Sequence, residues 1–180
     1  MANPQKLYIY DQSSEIDRKQ AAGRFGDDDG VLTIGVPSER DLLNALHDLT
    51  NKRMTFNRAL FQTHGGPGGI WFSNDWVSKY TIDAYFAPFA ALFPHAARIY
   101  FDGCNVADGG DGTDFLLKVG EVLLVNGGGE TMGWTTLGHG VWGWVPFIGG
   151  HTIHFGGEDA LKRIRFFPGG EPDFADSWIP

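Results

Sequence analysis

The stretch Ala97-Arg-Ile-Tyr-Phe-Asp-Gly-Cys-Asn-Val106 is an apolar, strand-forming run that stops abruptly at Cys104, the single cysteine of the chain. A second run of this kind, Phe56-Asn-Arg-Ala-Leu-Phe-Gln-Thr-His-Gly65, ends in His64 and two glycines. In an α/β protein the carboxyl ends of parallel strands lie along one edge of the sheet, where ligands bind. We therefore expect His64 and Cys104 to meet at that edge, although they are distant in sequence.

Length, charge and cysteine count restrict the class of protein. The 180 residues carry a net charge of −8, with a pI near 5.1, which argues against a nucleic-acid partner and favours a basic one. One cysteine excludes an intrachain disulfide. The first residues contain no apolar core of a signal peptide. These features predict a single domain over residues 1–180, located in the cytoplasm or exported without a cleaved signal peptide.

Alternating strand and helix patterns follow one another along the chain. Strands are predicted at 6–11, 31–36, 56–63, 98–101 and 131–136, a hairpin at 70–77, and helices from Ser38, over 81–93 and over 113–124. Ser38 is a suitable N-cap, with the carboxylate of Asp41 in the first turn. This β-α-β-α order predicts an α/β fold with a mainly parallel central sheet and helices on both faces.

The segment 131–157 has no formal charge and is rich in glycine, tryptophan and histidine. Its glycine clusters argue against a transmembrane helix. We expect this segment, whose Gly/Trp-rich part is 137–157, to fold over the strand ends beside the crevice, with at least one of Trp134, Trp142 and Trp144 lining it. The tail 168–180 is interpreted as irregular surface chain.

Three histidines of this segment, His139, His151 and His154, suggest a metal site. However, no carboxylate or second cysteine accompanies them, and such ligands are the common partners of histidine in zinc and copper sites. We therefore expect no metal ion and no cofactor.

A thiol beside an imidazole is a reactive nucleophile, because the imidazole helps to form the thiolate. Gly65 and Cys104 can each supply a backbone N–H to an oxyanion. Side chains alternate along a strand with period two, so Asp102 and Cys104 should face the same way. Asp102 would then lie in the pocket for the substrate residue that precedes the scissile bond. Taken alone, a single cysteine at a strand end is more often an inert buried thiol.

Two motifs resemble those of a known group of enzymes. Thr63-His-Gly-Gly-Pro-Gly68 and Asp102-Gly-Cys-Asn-Val-Ala107 resemble the His-Gly and Cys motifs of caspase-like (clan CD) cysteine peptidases, and most of all those of the bacterial caspase-like domain DUF4347. The resemblance extends over residues 7–136. It implies a caspase-like three-layer sandwich, in which His64 and Cys104 form the catalytic dyad and Gly65 contributes to the oxyanion hole.

The resemblance also bears on specificity. In metacaspases, clostripain and separase, an acidic residue at the position of Asp102 accompanies cleavage after arginine or lysine. DUF4347 domains usually carry tyrosine there, and the segment after Thr136 has no counterpart. We predict that Asp102, Trp134 and Thr135 bind a peptide or protein substrate that is basic at the cleavage site. The alternative function is an inactive caspase-like module that binds a protein or a membrane surface.

Overall fold

The computed structural model describes residues 6–12, 30–139, 153–154 and 160–178. Within these ranges, seven strands form one sheet in the order β12-β11-β8-β7-β3-β1-β2. They are β1 (Lys6–Asp11), β2 (Val31–Val36), β3 (Arg58–Gln62), β7 (Ala97–Asp102), β8 (Gly129–Trp134), β11 (Leu161–Phe166) and β12 (Pro172–Trp178). Each strand is parallel to its neighbour along the series β2, β1, β3, β7 and β8. The last two strands, β11 and β12, pair antiparallel. The prediction of a mainly parallel α/β sheet is confirmed.

The helices of the described residues are α1 (Glu39–Asn51), α2 (Ile82–Phe86), a 3₁₀ helix (Ala87–Leu92) and α3 (Gly109–Leu123). The 3₁₀ helix contacts all three α-helices, which together cover one face of the sheet. On the opposite face Tyr8, Tyr10 and Leu60 form a separate buried cluster. The described helices therefore lie on one face; residues 13–29, which connect β1 to β2, are outside the described part.

The helix boundaries follow local chemistry. The Ser38 hydroxyl accepts a hydrogen bond from the Asp41 N–H at 3.2 Å, which confirms the predicted N-cap of α1. The predicted helix 81–93 is instead divided, because Pro88 has no N–H to donate and the chain tightens into the 3₁₀ helix at this point.

The interpretation of the tail 168–180 as irregular chain is wrong for Pro172–Trp178, which form β12. The preceding strand β11 was not predicted, although Arg163 and Arg165 are exposed and alternate with buried Ile164 and Phe166. This period-two pattern is typical of a strand with one buried face. Pairing of β11 with β8 covers what would otherwise be an open edge of the parallel sheet.

A smaller antiparallel sheet contains β4 (His64–Gly66), β5 (Gly69–Phe72) and β6 (Asp75–Ser78). The predicted hairpin over 70–77 corresponds to β5 and β6, and β4 adds a third strand that begins at His64. Two further short strands, β9 (Gly138–His139) and β10 (Ile153–His154), pair with each other. No helix within the described ranges is long and apolar enough to cross a membrane.

Candidate active site

Three parallel strands end at the same edge of the main sheet. Gln62, the last residue of β3, pairs with Asp102, the last residue of β7. On the other side of β7, Phe101 pairs with Gly133, so that β8 ends beside them. The chain leaves β3 towards His64 and leaves β7 towards Cys104. As predicted, both candidate motifs therefore follow strand ends that are neighbours in space.

The two motifs touch through their backbones. A Cβ atom placed on Gly65 would lie 2.9 Å from the carbonyl oxygen of Cys104, 3.2 Å from its nitrogen and 2.4 Å from Cγ2 of Val106. The separations of 2.4 and 2.9 Å are shorter than real Cβ atoms show, and 3.2 Å is tighter than most, so a side chain at position 65 would force its neighbours to move. The absence of a side chain allows the segment that follows His64 to pack directly on the turn that carries Cys104. His64 is exposed and Cys104 is partly buried.

Hydrogen bonds hold the turn after Cys104 from both sides. The N–H groups of Asn105 and Ala107 donate to the carbonyls of Thr136 and Trp134, at 3.0 and 2.9 Å. On the other side the carbonyl of Val106 accepts from the Gly68 N–H at 3.2 Å. Asn105 has a φ of 55°, a left-handed conformation that asparagine adopts more readily than most residues. The turn is thus fixed between the end of β8 and the small sheet.

Asp102 is a buried residue, 5% exposed, and it makes an interaction within the protein. Strand alternation places it on the face of the sheet that carries buried Gln62, whose Oε1 accepts from the hydroxyl of Tyr8. Since Phe101 pairs with Gly133, the next residue on β8, Trp134, lies beside Asp102. The expected alternation does not reach Cys104, because β7 ends at Asp102 and the chain turns.

Trp134 and Thr135 were both predicted to bind substrate. The indole of Trp134 packs edge-on against Tyr100, with 6.3 Å between ring centroids, at the same end of the sheet as Asp102. The N–H and the hydroxyl of Thr135 both donate to the carbonyl of Ala160, at 2.9 and 3.0 Å. Thr135 thereby ties the end of β8 to the start of β11, and its role in substrate binding remains a prediction.

A buried cation that was not predicted from the sequence lies beside this turn. Lys162, on β11, is 3% exposed, and its Nζ donates to the carbonyl of Ala107 and to the hydroxyl of Thr113, both at 2.8 Å. Burial lowers the pKa of Lys162 below its ordinary value, and the charge of Asp108 opposes this shift. The side chain links β11 to the turn that follows Cys104 and to the first turn of α3. The signal available in the sequence was a lysine at a position that the alternating pattern of β11 assigns to the buried face.

A second lysine joins the small sheet to α3. Lys79 Nζ lies 2.6 Å from Asp114 and 2.9 Å from Asp111, both on α3. The hydrogen bond to Asp114, and then that to Asp111, raises the pKa of Lys79 above its ordinary value. Since Lys79 follows β6 of the small sheet and α3 follows the turn of Cys104, this bridge links the sheet that contains His64 to the helix that follows Cys104.

Several predicted residues lie outside what the structure describes. Trp142, Trp144 and His151 are not among the described residues, and for His139 and His154 only the backbone is described. For these residues the expectation that the segment 131–157 folds beside the crevice stays a prediction. Among the side chains that are described, no group of three or more His, Cys, Asp or Glu residues is placed to hold a metal ion.

Comparison with known families gives one match. The model of a domain of unknown function, DUF4347, matches residues 19–142, which is well over half of the chain. The chain belongs to the DUF4347 family. None of the curated proteins matches it. The region matched by DUF4347 contains both candidate motifs and ends shortly after β8, so that β11, with Lys162, lies beyond it.

Replacing Lys162 with methionine should destabilise this DUF4347 domain by about 1–3 kcal/mol, because the carbonyl of Ala107 and the hydroxyl of Thr113 lose their donor in a buried place. The free energy of unfolding in urea measures the effect. The matched control is Lys52→Met, since Lys52 is largely exposed in an i,i+4 ion pair and should change stability by less than about 0.5 kcal/mol.

The effect of Lys162 should also depend on pH. Its pKa in the folded protein lies below the unfolded value of 10.5, so the unfolded chain binds more protons between the two values. The wild type should therefore gain stability relative to Lys162→Met as the pH rises towards 10.5, and lose it as the pH falls through the folded pKa. Equal stability of the wild type and Lys162→Met would show that the buried hydrogen bonds contribute nothing.

Proposed function

We propose that this DUF4347 domain is a cysteine endopeptidase of the caspase-like type, with His64 and Cys104 as its catalytic dyad. The observation that carries the proposal is the packing of Gly65 directly on the backbone of Cys104, at the shared edge of β3 and β7. Both residues belong to the motifs that resemble those of caspase-like peptidases. The hydrogen bonds around the Cys104 turn supply the rigid support that a nucleophile requires.

The proposed peptide hydrolysis needs no cofactor. The thiol of Cys104 gives its proton to His64, and the resulting thiolate attacks the carbonyl carbon. The oxyanion that forms accepts hydrogen bonds from the N–H groups of Gly65 and Cys104. The C–N bond then breaks as His64 protonates the departing amine, which leaves an acyl group on the sulfur. A water molecule, deprotonated by His64, attacks this thioester and releases the new carboxyl terminus, and the thiol is regenerated.

Asp102 would select a basic residue immediately before the scissile bond. It lies at the end of β7, two residues before Cys104, and Trp134 flanks it on β8. A carboxylate has about four acceptor positions, so an interaction within the protein leaves room for a guanidinium. Arginine should be preferred over lysine because its planar fork can bind both carboxylate oxygens. The net charge of −8 favours approach of a basic peptide at low ionic strength.

The test of the function is covalent labelling. An arginyl peptide with an electrophilic chloromethyl ketone should modify Cys104 stoichiometrically, as located by mass spectrometry of the digested protein. The same peptide with glutamate in place of arginine is the matched control and should react far more slowly. If Cys104 reacts equally slowly with both peptides and no substrate is hydrolysed, the alternative of an inactive binding module is favoured.

Replacing Asp102 with asparagine should collapse the preference for arginine. The measured quantity is the ratio of kcat/KM for peptides with arginine and with citrulline, its neutral isostere, before the scissile bond. The ratio should fall by a factor on the order of 10² when the charged pair is lost. Asp108→Asn, a carboxylate at the N-terminus of α3, is the control that should leave the ratio unchanged. If Asp102→Asn keeps the wild-type ratio in a folded, active enzyme, Asp102 is not in the pocket.

A further inference from the structure

We propose that Trp71 and Trp76 form a subsite for a large apolar side chain of the substrate, at the residue that follows the scissile bond. The inference rests on the proposed function, since it takes His64 as the group that protonates the departing amine. It concerns the part of the peptide that leaves first, whereas Asp102 concerns the residue on the other side of the bond.

Strand register places the two tryptophans in one row with His64. His64 on β4 is paired with Trp71 on β5, and Trp71 is paired with Trp76 on β6. Directly paired residues of antiparallel strands project from the same face, with Cβ atoms roughly 5 Å apart. The imidazole and the two indoles therefore project from the same face of the small sheet.

The face of the small sheet that carries His64, Trp71 and Trp76 is turned to the solvent. The residues of the next row, Ile70 and Val77, are 0% and 1% exposed, because they face the main hydrophobic core. By contrast, His64 is exposed and Trp71 is 38% exposed. The rings of Trp71 and Trp76 lie 4.6 Å apart at an angle of 43°, so they form one continuous aromatic surface.

Two glycines let that surface extend towards β4. A Cβ atom on Gly69 would lie 2.6 Å from Cζ2 of Trp76, and one on Gly66 would lie 3.6 Å from its Cη2. The indole of Trp76 thus extends from β6 across the bare backbone of β5 to β4. Gly66 is two residues from His64 on β4, so the aromatic surface reaches the immediate neighbourhood of the imidazole.

The place of the two tryptophans beside His64 indicates which substrate residue they would contact. A histidine that protonates the departing amine must lie on the side of that amine. The row of Trp71 and Trp76 continues from His64 on the small sheet, whereas Asp102 lies on β7 of the main sheet, so the tryptophans should meet the first residue of the departing peptide. Two packed indoles offer apolar surface, and burial of apolar area of the substrate against them favours binding. Phenylalanine, tyrosine and leucine at this position gain most from such a surface.

The experiment compares two peptides that differ only after the scissile bond, Arg-Phe and Arg-Gly. Wild-type kcat/KM should favour phenylalanine by a factor on the order of 10. Trp71→Ala and Trp76→Ala should each bring the two peptides within about threefold of each other. Trp71→Phe, which keeps an aromatic ring, should retain most of the preference. The control is Tyr80→Ala, since Tyr80 is 84% exposed and lies outside the row of His64.

An arginine methyl ester separates this inference from the proposed function. Its leaving group is methanol, which does not reach the tryptophans, so the ester rate of each variant measures the dyad alone and is the reference for its two peptide rates. Tyr80→Ala should hydrolyse the ester at the wild-type rate. If the wild type neither hydrolyses the ester nor reacts at Cys104 with the arginyl ketone, the proposed function fails. If the ester is hydrolysed but the preference for phenylalanine is absent, or survives in both alanine variants, the subsite is refuted. A preference for arginine over phenylalanine at this position would also refute it, in favour of a cationic occupant.

Discussion

Replacement of Cys104 with alanine should abolish peptide hydrolysis, and His64→Ala should lower kcat by a factor on the order of 10³ or more. The first variant removes the only thiol of the chain, and the second removes the imidazole that we propose as the proton donor to the departing amine. Both parameters can be measured with an arginyl peptide under saturating and limiting conditions. Because the two residues act as a unit, the double variant should be no less active than Cys104→Ala alone.

His95→Ala is the matched control for the histidine. His95 is exposed and precedes β7, far along the strand from its carboxyl end, so its removal should leave kcat unchanged. Each variant should unfold at a urea concentration close to that of the wild type, which would separate lost chemistry from lost structure. A Cys104→Ala variant that retained wild-type activity would end the assignment of the nucleophile.

Gly65→Ala should lower kcat by a factor on the order of 10² to 10³, comparable to the loss of one oxyanion donor. The added methyl group would meet Cγ2 of Val106 at 2.4 Å and the carbonyl oxygen of Cys104 at 2.9 Å, so the two segments must separate. The N–H groups of Gly65 and Cys104 then lose their relative placement. The overpacking should also cost about 1–3 kcal/mol of stability, as measured by urea unfolding.

The adjacent glycine supplies the control. A Cβ atom on Gly66 would find only Trp76, at 3.6 Å, which is an ordinary contact, so Gly66→Ala should keep nearly full kcat. Val106→Ala removes the nearest clashing atom, and the variant that combines it with Gly65→Ala should recover part of the loss. Equal activities of Gly65→Ala and Gly66→Ala would contradict the view that packing between the motifs positions the oxyanion donors.

Patterns of short range determined most of the strands and helices. The apolar runs that became β1, β2, β3, β7 and β8 were predicted from their composition, and their parallel pairing followed from the intervening helices. The cap at Ser38 was predictable for the same reason, since the contact with Asp41 spans three residues. Such features depend on neighbours in the chain, which a sequence displays directly. The strands β11 and β12 were missed because short charged segments become strands only when an edge is available for pairing.

The candidate site also has a part that the sequence predicts and a part that depends on tertiary packing. The sequence by itself determined that His64 and Cys104 follow strands whose carboxyl ends share one edge of the sheet, because parallel strands all end on the same side. That β3 and β7 are direct neighbours in the sheet is a result of the tertiary structure. Only the tertiary structure decided that Gly65 packs on Cys104, that Lys162 reaches the turn from β11, and that Trp71 and Trp76 lie in register with His64. Each of these contacts joins segments whose distance and register depend on how the layers pack. No periodicity within one segment encodes that packing, since it results from burial of the whole core at once.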